Sequence, residues 1–263
     1  MKPAVEAGRS AALYFSGTGN TRYAVRRLAQ GLGMPEANVV SVEDDRRLAA
    51  AALATADTVV IAYPNYMCVL PKIMSDYLQQ HRARLEGKSI ITLVTYARFS
   101  FDADLLATRL LRKLRVPFTE HSGIAIQMPF VICDMKLLRP TEAEAATELR
   151  ARADAKLDEC AVRILGGDVI HDGRPWMRPL AFLRQRMFYQ SRIQKDFSGL
   201  RVNSSCIACG SCVRRCPTEN LALIDGRIEQ AGRCTQCYRC ANLCPSQAIT
   251  LWGRAVQWQY KGP

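Results

Sequence analysis

The sequence predicts an α/β chain: a doubly wound parallel sheet covered by helices, followed by a small α+β domain built around cysteines. Three observations carry this. Apolar runs alternate with helical patterns over the first two thirds of the chain. Eight of the eleven cysteines fall between Cys206 and Cys244. Those eight form one internal repeat. The expected division is 1–167 for the sheet domain, 168–202 for a basic, aromatic connector and 203–263 for the cysteine domain.

The elements follow in order. Ala11 to Phe15 reads as a buried strand and Asn20 to Leu32 as a helix. Asn38 to Val42 is a weak strand. Thr58 to Tyr63 (TVVIAY) is a strong one, with a helix from Pro71 to His81. Ser89 to Thr95 (SIITLVT) is the next strand, and Asp102 to Leu114 the next helix. Gly123 to Gln127 closes the sheet, and a long helix runs from Thr141 to Leu165 before Gly166-Gly167. Unbroken apolar strands alternating with helices mean a parallel sheet buried on both faces. In the connector, Leu180, Leu183, Met187 and Phe188 fall at helical spacing, so part of it is expected to be an amphipathic helix.

At 263 residues and 49% hydrophobic, the chain can bury a sizeable core. Lys+Arg 36 against Asp+Glu 24 leaves a net charge of +12, which favours acidic partners or anionic surfaces. MKPAVEAGRS lacks the apolar core of a signal peptide, and no apolar run reaches the roughly 18 residues of a membrane span. A cytoplasmic location is the expectation. Cysteine-rich chains in that compartment use thiols for metal or redox chemistry.

CIACGSCVRRCP and CTQCYRCANLCP are both C-x2-C-x2-C-x3-C-P. Three cysteines at this spacing surround one iron–sulfur cube, and the fourth, followed by proline, ligates the other. Cys206, Cys209, Cys212 and Cys244 are therefore expected to hold one 4Fe-4S cluster. Cys234, Cys237, Cys240 and Cys216 are expected to hold the second. The rival reading is a pair of zinc sites, which seldom use three cysteines in one tight run. Ile207, Ala208, Val213, Leu221, Ile224, Ile228, Leu243, Ile249 and Leu251 are the expected apolar shell. From about Asn203 to Trp252 the chain resembles bacterial two-cluster ferredoxins.

Between the first strand and first helix lies SGTGNT. A phosphate at a helix N-terminus wants backbone N–H groups, hydroxyls and glycines that permit close approach. Ser16, Thr18 and Thr21 supply hydroxyls; Gly17, Gly19 and Asn20 supply amides. A plain tight turn is the alternative. The stretch resembles the phosphate loop of flavodoxins, S/T-x-T-G-x-T, matching at Ser16, Thr18, Gly19 and Thr21. That resemblance implies FMN, with its ring between the loops YPNYMCVLP (Tyr63 to Pro71) and TYARFSFDAD (Thr95 to Asp104). It implies ring contacts at Pro64, Asn65, Tyr66 and Met67, and at Thr95, Tyr96, Ala97 and Arg98, with Tyr66 and Tyr96 as stacking candidates. Core packing is the other use for both tyrosines. Nearly the full length resembles ferredoxins that carry an N-terminal flavodoxin-like domain.

The resemblance implies an iron–sulfur flavoprotein that moves electrons between FMN and two 4Fe-4S clusters, joining two-electron to one-electron partners. One alternative is a flavin-dependent reductase of a small acceptor such as a quinone. Another is a flavin-free ferredoxin with a partner-docking domain. No protein acid–base residue is expected to be catalytic. The expected partner is an acidic redox protein. The connector's Arg174, Arg178, Arg184, Arg186, Arg192 and Arg201, with Trp176, Phe182, Phe188 and Tyr189, would suit that partner or an anionic membrane surface; the plainer use is an interdomain clamp. No nucleic-acid motif accompanies the charge. Cys68, Cys133 and Cys160 read as core thiols, and His81, His121 and His171 as isolated.

Overall fold

The computed structural model describes residues 5–43, 46–135, 141–173, 176, 179, 183, 199–252, 254–256 and 258–263. Its first part is a five-stranded, all-parallel sheet. The strands are β1 (Ser10–Tyr14), β2 (Val39–Ser41), β3 (Thr58–Pro64), β4 (Ser89–Tyr96) and β5 (His121–Gln127), in spatial order β2-β1-β3-β4-β5. This is the flavodoxin-like doubly wound order, whose switch point lies between β1 and β3.

Alternation along each strand builds two cores. Ala11, Leu13, Val59, Ile61 and Ile90 face one helical layer. Ala12, Tyr14, Val60, Ala62, Leu93 and Ile124 face the other. The helices are α1 (Asn20–Gly31), α2 (Arg46–Thr55), α3 (Lys72–Gln80), α4 (Leu106–Lys113) and α5 (Ala143–Leu165). The expected Asp102–Leu114 helix opens instead with a 3-10 turn over Ala103–Leu105. Helix α2 was not anticipated: its alanine-rich sequence runs straight into the apolar β3 and reads as one apolar stretch.

α1 and α5 cross closely. A Cβ on Gly31 would stand 2.7 Å from the Ala161 Cβ. Tyr23 donates to Asp154 at 2.8 Å, and Arg27 pairs with Asp158 beside this crossing. After α5 the chain returns along β5. The Gly123 N–H donates to the Ile170 carbonyl at 2.7 Å, and Asp172 N–H to Gly123 at 2.9 Å. This brings His171 to His121, with ring centroids 5.7 Å apart, so these two histidines are not isolated.

The cysteine-rich part has β6 (Arg201–Val202) paired antiparallel with β9 (Ile249–Thr250), and β7 (Leu221–Ile224) with β8 (Arg227–Gln230). Two short helices, α6 (Ser211–Arg214) and α7 (Arg239–Leu243), sit inside the two cysteine runs. Leu221, Ile249 and Leu251 are buried as expected. Ile207 and Ile224 are not: they are 65% and 45% exposed. A two-stranded hairpin has too little cover to bury Ile224 beside its turn. Ile207 rides outside the first cysteine run.

Of the connector residues, Trp176 and Leu183 are exposed. Arg201 opens β6. Arg174, Arg178, Leu180, Phe182, Arg184, Arg186, Met187, Phe188, Tyr189 and Arg192 lie outside the described residues. Among the described residues no helix is long and apolar enough to cross a membrane.

The α1–α5 crossing yields a test. Gly31→Val forces branched methyls against Ala161, and such overpacking costs about 1–3 kcal/mol. The expected readout is a lower urea midpoint with an unchanged m-value.

Candidate functional site

The carboxyl ends of β1, β3 and β4 open onto a cleft of ≈ 680 Å³. It is lined by Ser16, Gly17, Thr18, Asn20 and Thr21 from the first loop. Pro64, Asn65, Tyr66 and Met67 come from the second, and Thr95, Tyr96, Ala97 and Arg98 from the third. Thirteen of the fourteen predicted cofactor residues thus meet at one cleft. Gly19 is the exception: it caps α1 with φ of 102° and faces a neighbouring cavity.

The first loop is a hydrogen-bonded turn at the head of α1. The Ser16 hydroxyl accepts from the N–H groups of Gly19 and Arg22, both at 3.2 Å, and so holds the turn at the head of α1. Thr21 and Thr95 share a hydroxyl hydrogen bond of 2.7 Å that ties the first loop to β4. The Asn20 side chain donates to the Pro129 carbonyl at 3.1 Å and accepts from the Tyr260 hydroxyl at 2.6 Å. Its amide is therefore structural, and its contribution to a ligand is limited to the backbone.

The second loop turns tightly. Val69 N–H donates to the Tyr66 carbonyl at 3.0 Å, and Asn65 Oδ1 accepts from Cys68 N–H at 2.8 Å. Met67 and Cys68 have φ of 54° and 59°, the left-handed region that favours glycine. No glycine stands between Ala62 and Leu70. Cys68 is fully buried beside Phe101, and that packing holds the turn. Tyr66 packs edge-on against Phe15, with centroids 6.4 Å apart. Its hydroxyl reaches Gly17.

Sequence reasoning missed the far wall. Met128, Pro129, Phe130, Val131 and Ile132 follow β5 and line the same cleft. So do Gln236, Tyr238 and Trp252 from the cysteine-rich part. The apolar stretch MPFVI after the last strand was the only hint, and periodicity gives it no address.

The two parts meet at this cleft. Arg239 reaches back to the first loop. Its guanidinium donates to the Ser16 carbonyl at 2.6 Å and the Gly17 carbonyl at 2.9 Å. It also forks onto Glu43, with both bonds at 2.7 Å. Burial opposes the Arg239 charge, but the Glu43 carboxylate more than offsets it and the guanidinium pKa is raised. A Cβ on Gly17 would lie 2.6 Å from the Cys237 carbonyl oxygen and 3.1 Å from its Cβ, so only glycine permits this approach. Behind it, Tyr238 donates to Asp134 at 2.9 Å, and Asp134 also accepts from the N–H groups of Leu251 and Trp252 at 2.5 and 2.7 Å. Asn242 donates to the Val131 carbonyl at 2.9 Å.

Cysteines of the two runs lie near one another. Burial pushes the Cys212 thiol up, and the nearby sulfurs of Cys244 and Cys206 add to it. Burial pushes Cys237 up to about 12, with contributions from Cys234 and Cys216. Cys240 rises for the same reasons, beside Cys237, Cys234, Cys216 and Cys212. Among the described residues no group of three or more His, Cys, Asp or Glu side chains converges as a single metal ion needs.

The two runs also share a backbone. Ala208 and Gln236, Gly210 and Tyr238, and Glu219 and Gln247 each pair across one repeat with positive φ. Asn220 N–H donates to the Cys216 sulfur at 3.2 Å, and Ala248 N–H to the Cys244 sulfur at 3.3 Å. Exposure differs between the sets. Cys209 is exposed, whereas Cys237 is buried against the first loop.

A model of the flavodoxin domain family matches residues 11–110. The chain is similar in fold to a flavodoxin from the domain Archaea, at 17% identity over 58% of this chain and 98% of that one, with a TM-score of 0.38. The Megasphaera elsdenii flavodoxin is 18% identical over 56% of this chain and 98% of its own, with a TM-score of 0.35. The Streptococcus pneumonia TIGR4 flavodoxin is 16% identical over 60% and 99%, with a TM-score of 0.39. No curated protein matches the chain.

Three substitutions test this geometry. Arg239→Met leaves the part-buried Glu43 carboxylate without its partner and should destabilise the protein by about 2–3 kcal/mol, less than a fully buried pair would lose. Adding Glu43→Gln should restore most of that loss, as read by chemical denaturation. Met67→Gly relieves a left-handed non-glycine residue and should raise stability by about 0.5–1 kcal/mol in the same assay.

Proposed function

We propose that this chain is an electron-transfer iron–sulfur flavoprotein, with FMN in the ≈ 680 Å³ cleft and a 4Fe-4S cluster at each cysteine set. The observation that carries the reading is the shared wall: the phosphate loop at Gly17 lies directly against Cys237. When bound, FMN exchanges electrons in pairs or singly, and the clusters exchange them singly.

The residues divide the work as follows. The hydroxyls of Thr18 and Thr21 and the N–H groups at the head of α1 hold the phosphate. Among the described residues no acceptor stands opposite the N–H groups of Asn20 and Thr21. Tyr66, Met67 and Tyr96 flank the ring on one side; Phe130, Tyr238 and Trp252 exclude water on the other. Cys206, Cys209, Cys212 and Cys244 ligate the outer cluster. Cys216, Cys234, Cys237 and Cys240 ligate the inner one. The N–H groups of Asn220 and Ala248 donate to the sulfurs of Cys216 and Cys244, which stabilises added negative charge there.

Exposure gives the route an order. The outer set, with Cys209 and Ile207 at the surface, is where a one-electron protein partner would dock. The inner set, with Cys237 buried, faces the flavin cleft. An acidic carrier suits the net charge of +12. The proposed boundaries remain 1–167, 168–202 and 203–263.

The test is a cofactor count on anaerobically purified protein. Acid release should give about one FMN per eight irons, as two four-iron clusters require. Thr18→Val removes a hydroxyl from the phosphate site. It should weaken FMN binding about 10- to 100-fold, the worth of a hydrogen bond to a charged group, and leave iron content unchanged. Eight irons with no flavin bound or taken up would overturn the flavin half and leave the sheet domain as a docking module.

A further inference from the structure

Two cavities stand back to back at the second cysteine run. One is the cleft, where Gln236, Tyr238 and Trp252 form part of the wall. The other is a smaller cavity lined by Cys216, Cys234, Cys237 and Cys240, with Leu251 beside them. The linings alternate along the chain. Gln236 faces the cleft and Cys237 the cysteine cavity; Trp252 faces the cleft and Leu251 the cysteine cavity. Tyr238 alone among the described residues lines both. The wall between the cavities is therefore a single layer of chain, and the Tyr238 ring is the side chain within it.

Asp134 pins this wall. It is 1% exposed and accepts from the Tyr238 hydroxyl at 2.9 Å and from the N–H groups of Leu251 and Trp252 at 2.5 and 2.7 Å. Three donors satisfy the carboxylate, so the ring and the 251–252 backbone are held as one piece. The first cysteine run has no such wall. Gly210 stands in the place of Tyr238, with φ of 68° against 61°, and Cys209, in the place of Cys237, is exposed. A left-handed position favours glycine, and the first run uses it. Backbone conformation therefore gives no reason for a tyrosine at 238. Its side chain does, because it closes the space between the two cavities.

We propose that Tyr238 is a partition that seals the inner cysteine set from the cleft, so that water and small solutes entering the cleft do not reach the inner sulfurs. The proposal rests on the reading of those cysteines as a cluster site. It adds a difference between the two sets: the outer one is open to solutes and the inner one is closed. The shell around a metal site controls solvent access and with it how readily the metal is lost. The ring acts here by occupying space, and its hydroxyl acts by anchoring the ring.

The experiment is anaerobic release of iron from the full chain to EDTA, followed by cluster absorbance and iron analysis. The parent should release about four irons quickly, from the outer set, and about four slowly. Tyr238→Gly should release the slow four about 10- to 100-fold faster. The fold tolerates this variant, because Gly210 already holds the same conformation in the first run. Excess FMN, filling the cleft, should slow release from Tyr238→Gly and leave the parent unchanged. Tyr238→Phe keeps the ring and should release iron as the parent does. Any of four results would overturn the proposal: a single phase in the parent, parent-like phases in Tyr238→Gly, FMN that binds without slowing release, or Tyr238→Phe matching Tyr238→Gly. Failure of the electron-transfer reading looks different. No uptake of FMN, with the contrast between parent and Tyr238→Gly intact, would count against the flavin alone. Protein without iron would count against the clusters. The partition is then read with iodoacetamide: Cys237 should be alkylated faster in Tyr238→Gly than in the parent, and equal rates would overturn it.

Discussion

The structure depends on one buried ion pair. Arg239 and Glu43 have side chains only 18% and 13% exposed, and they join the cysteine-rich part to the end of β2. A buried pair gains little over a well-packed apolar contact, but neither partner tolerates loss of the other. The fork shape of arginine matters here. It satisfies a carboxylate and two loop carbonyls at once, which the single ammonium of lysine could not do with the same geometry. In a trans peptide the N–H points opposite to the C=O. Holding the Ser16 and Gly17 carbonyls toward Arg239 therefore turns the N–H groups of Gly17 and Thr18 away from it. The same interaction that closes the interface orients the donors of the proposed phosphate site.

The cysteine repeat works through backbone conformation as much as through thiols. Each run winds tightly because the residue before the second cysteine and the residue after it both take left-handed conformations. Glycine serves at position 210, while Tyr238 occupies the equivalent place in the second run. That substitution has a use. The side chain glycine lacks becomes a wall of the cleft, buried and anchored by Asp134. The cost of a strained non-glycine residue is offset by the hydrogen bond and by apolar burial.

Much of this was legible in the sequence, for identifiable reasons. The sheet strands are buried on both faces, so their apolar runs are long and unambiguous. The first loop is marked by its place between a strand and a helix, and all of its residues but Gly19 line the cleft. What was not legible is long-range. Helix α2 merged with β3 because alanine and valine runs look alike without a visible cap. Ile207 and Ile224 are apolar yet exposed, since a domain this small lacks the layers to cover them. The Met67–Cys68 turn breaks the local glycine rule because burial of Cys68 and the Asn65 side chain override propensity. Arg239 looked like one more charge in a basic chain. Nothing in its neighbours announces Glu43, far away in sequence.

For the proposed electron transfer, a flexible tether between the two parts would raise their effective concentration but leave their separation to chance. Electron transfer between buried centres depends on separation, so a tether alone gives a spread of rates. The contacts here remove that freedom. Gly17 lets the loop touch Cys237, Arg239 fixes the loop's carbonyls, Asp134 gathers Tyr238 with the N–H groups of Leu251 and Trp252, and Asn242 holds the Val131 carbonyl. Apart from the close approach of Gly17 to Cys237, each of these contacts is a directional hydrogen bond. Apolar packing alone would allow sliding. A set of directional bonds does not, and it fixes the segment around Cys237 against the cleft while Cys209 stays at the surface.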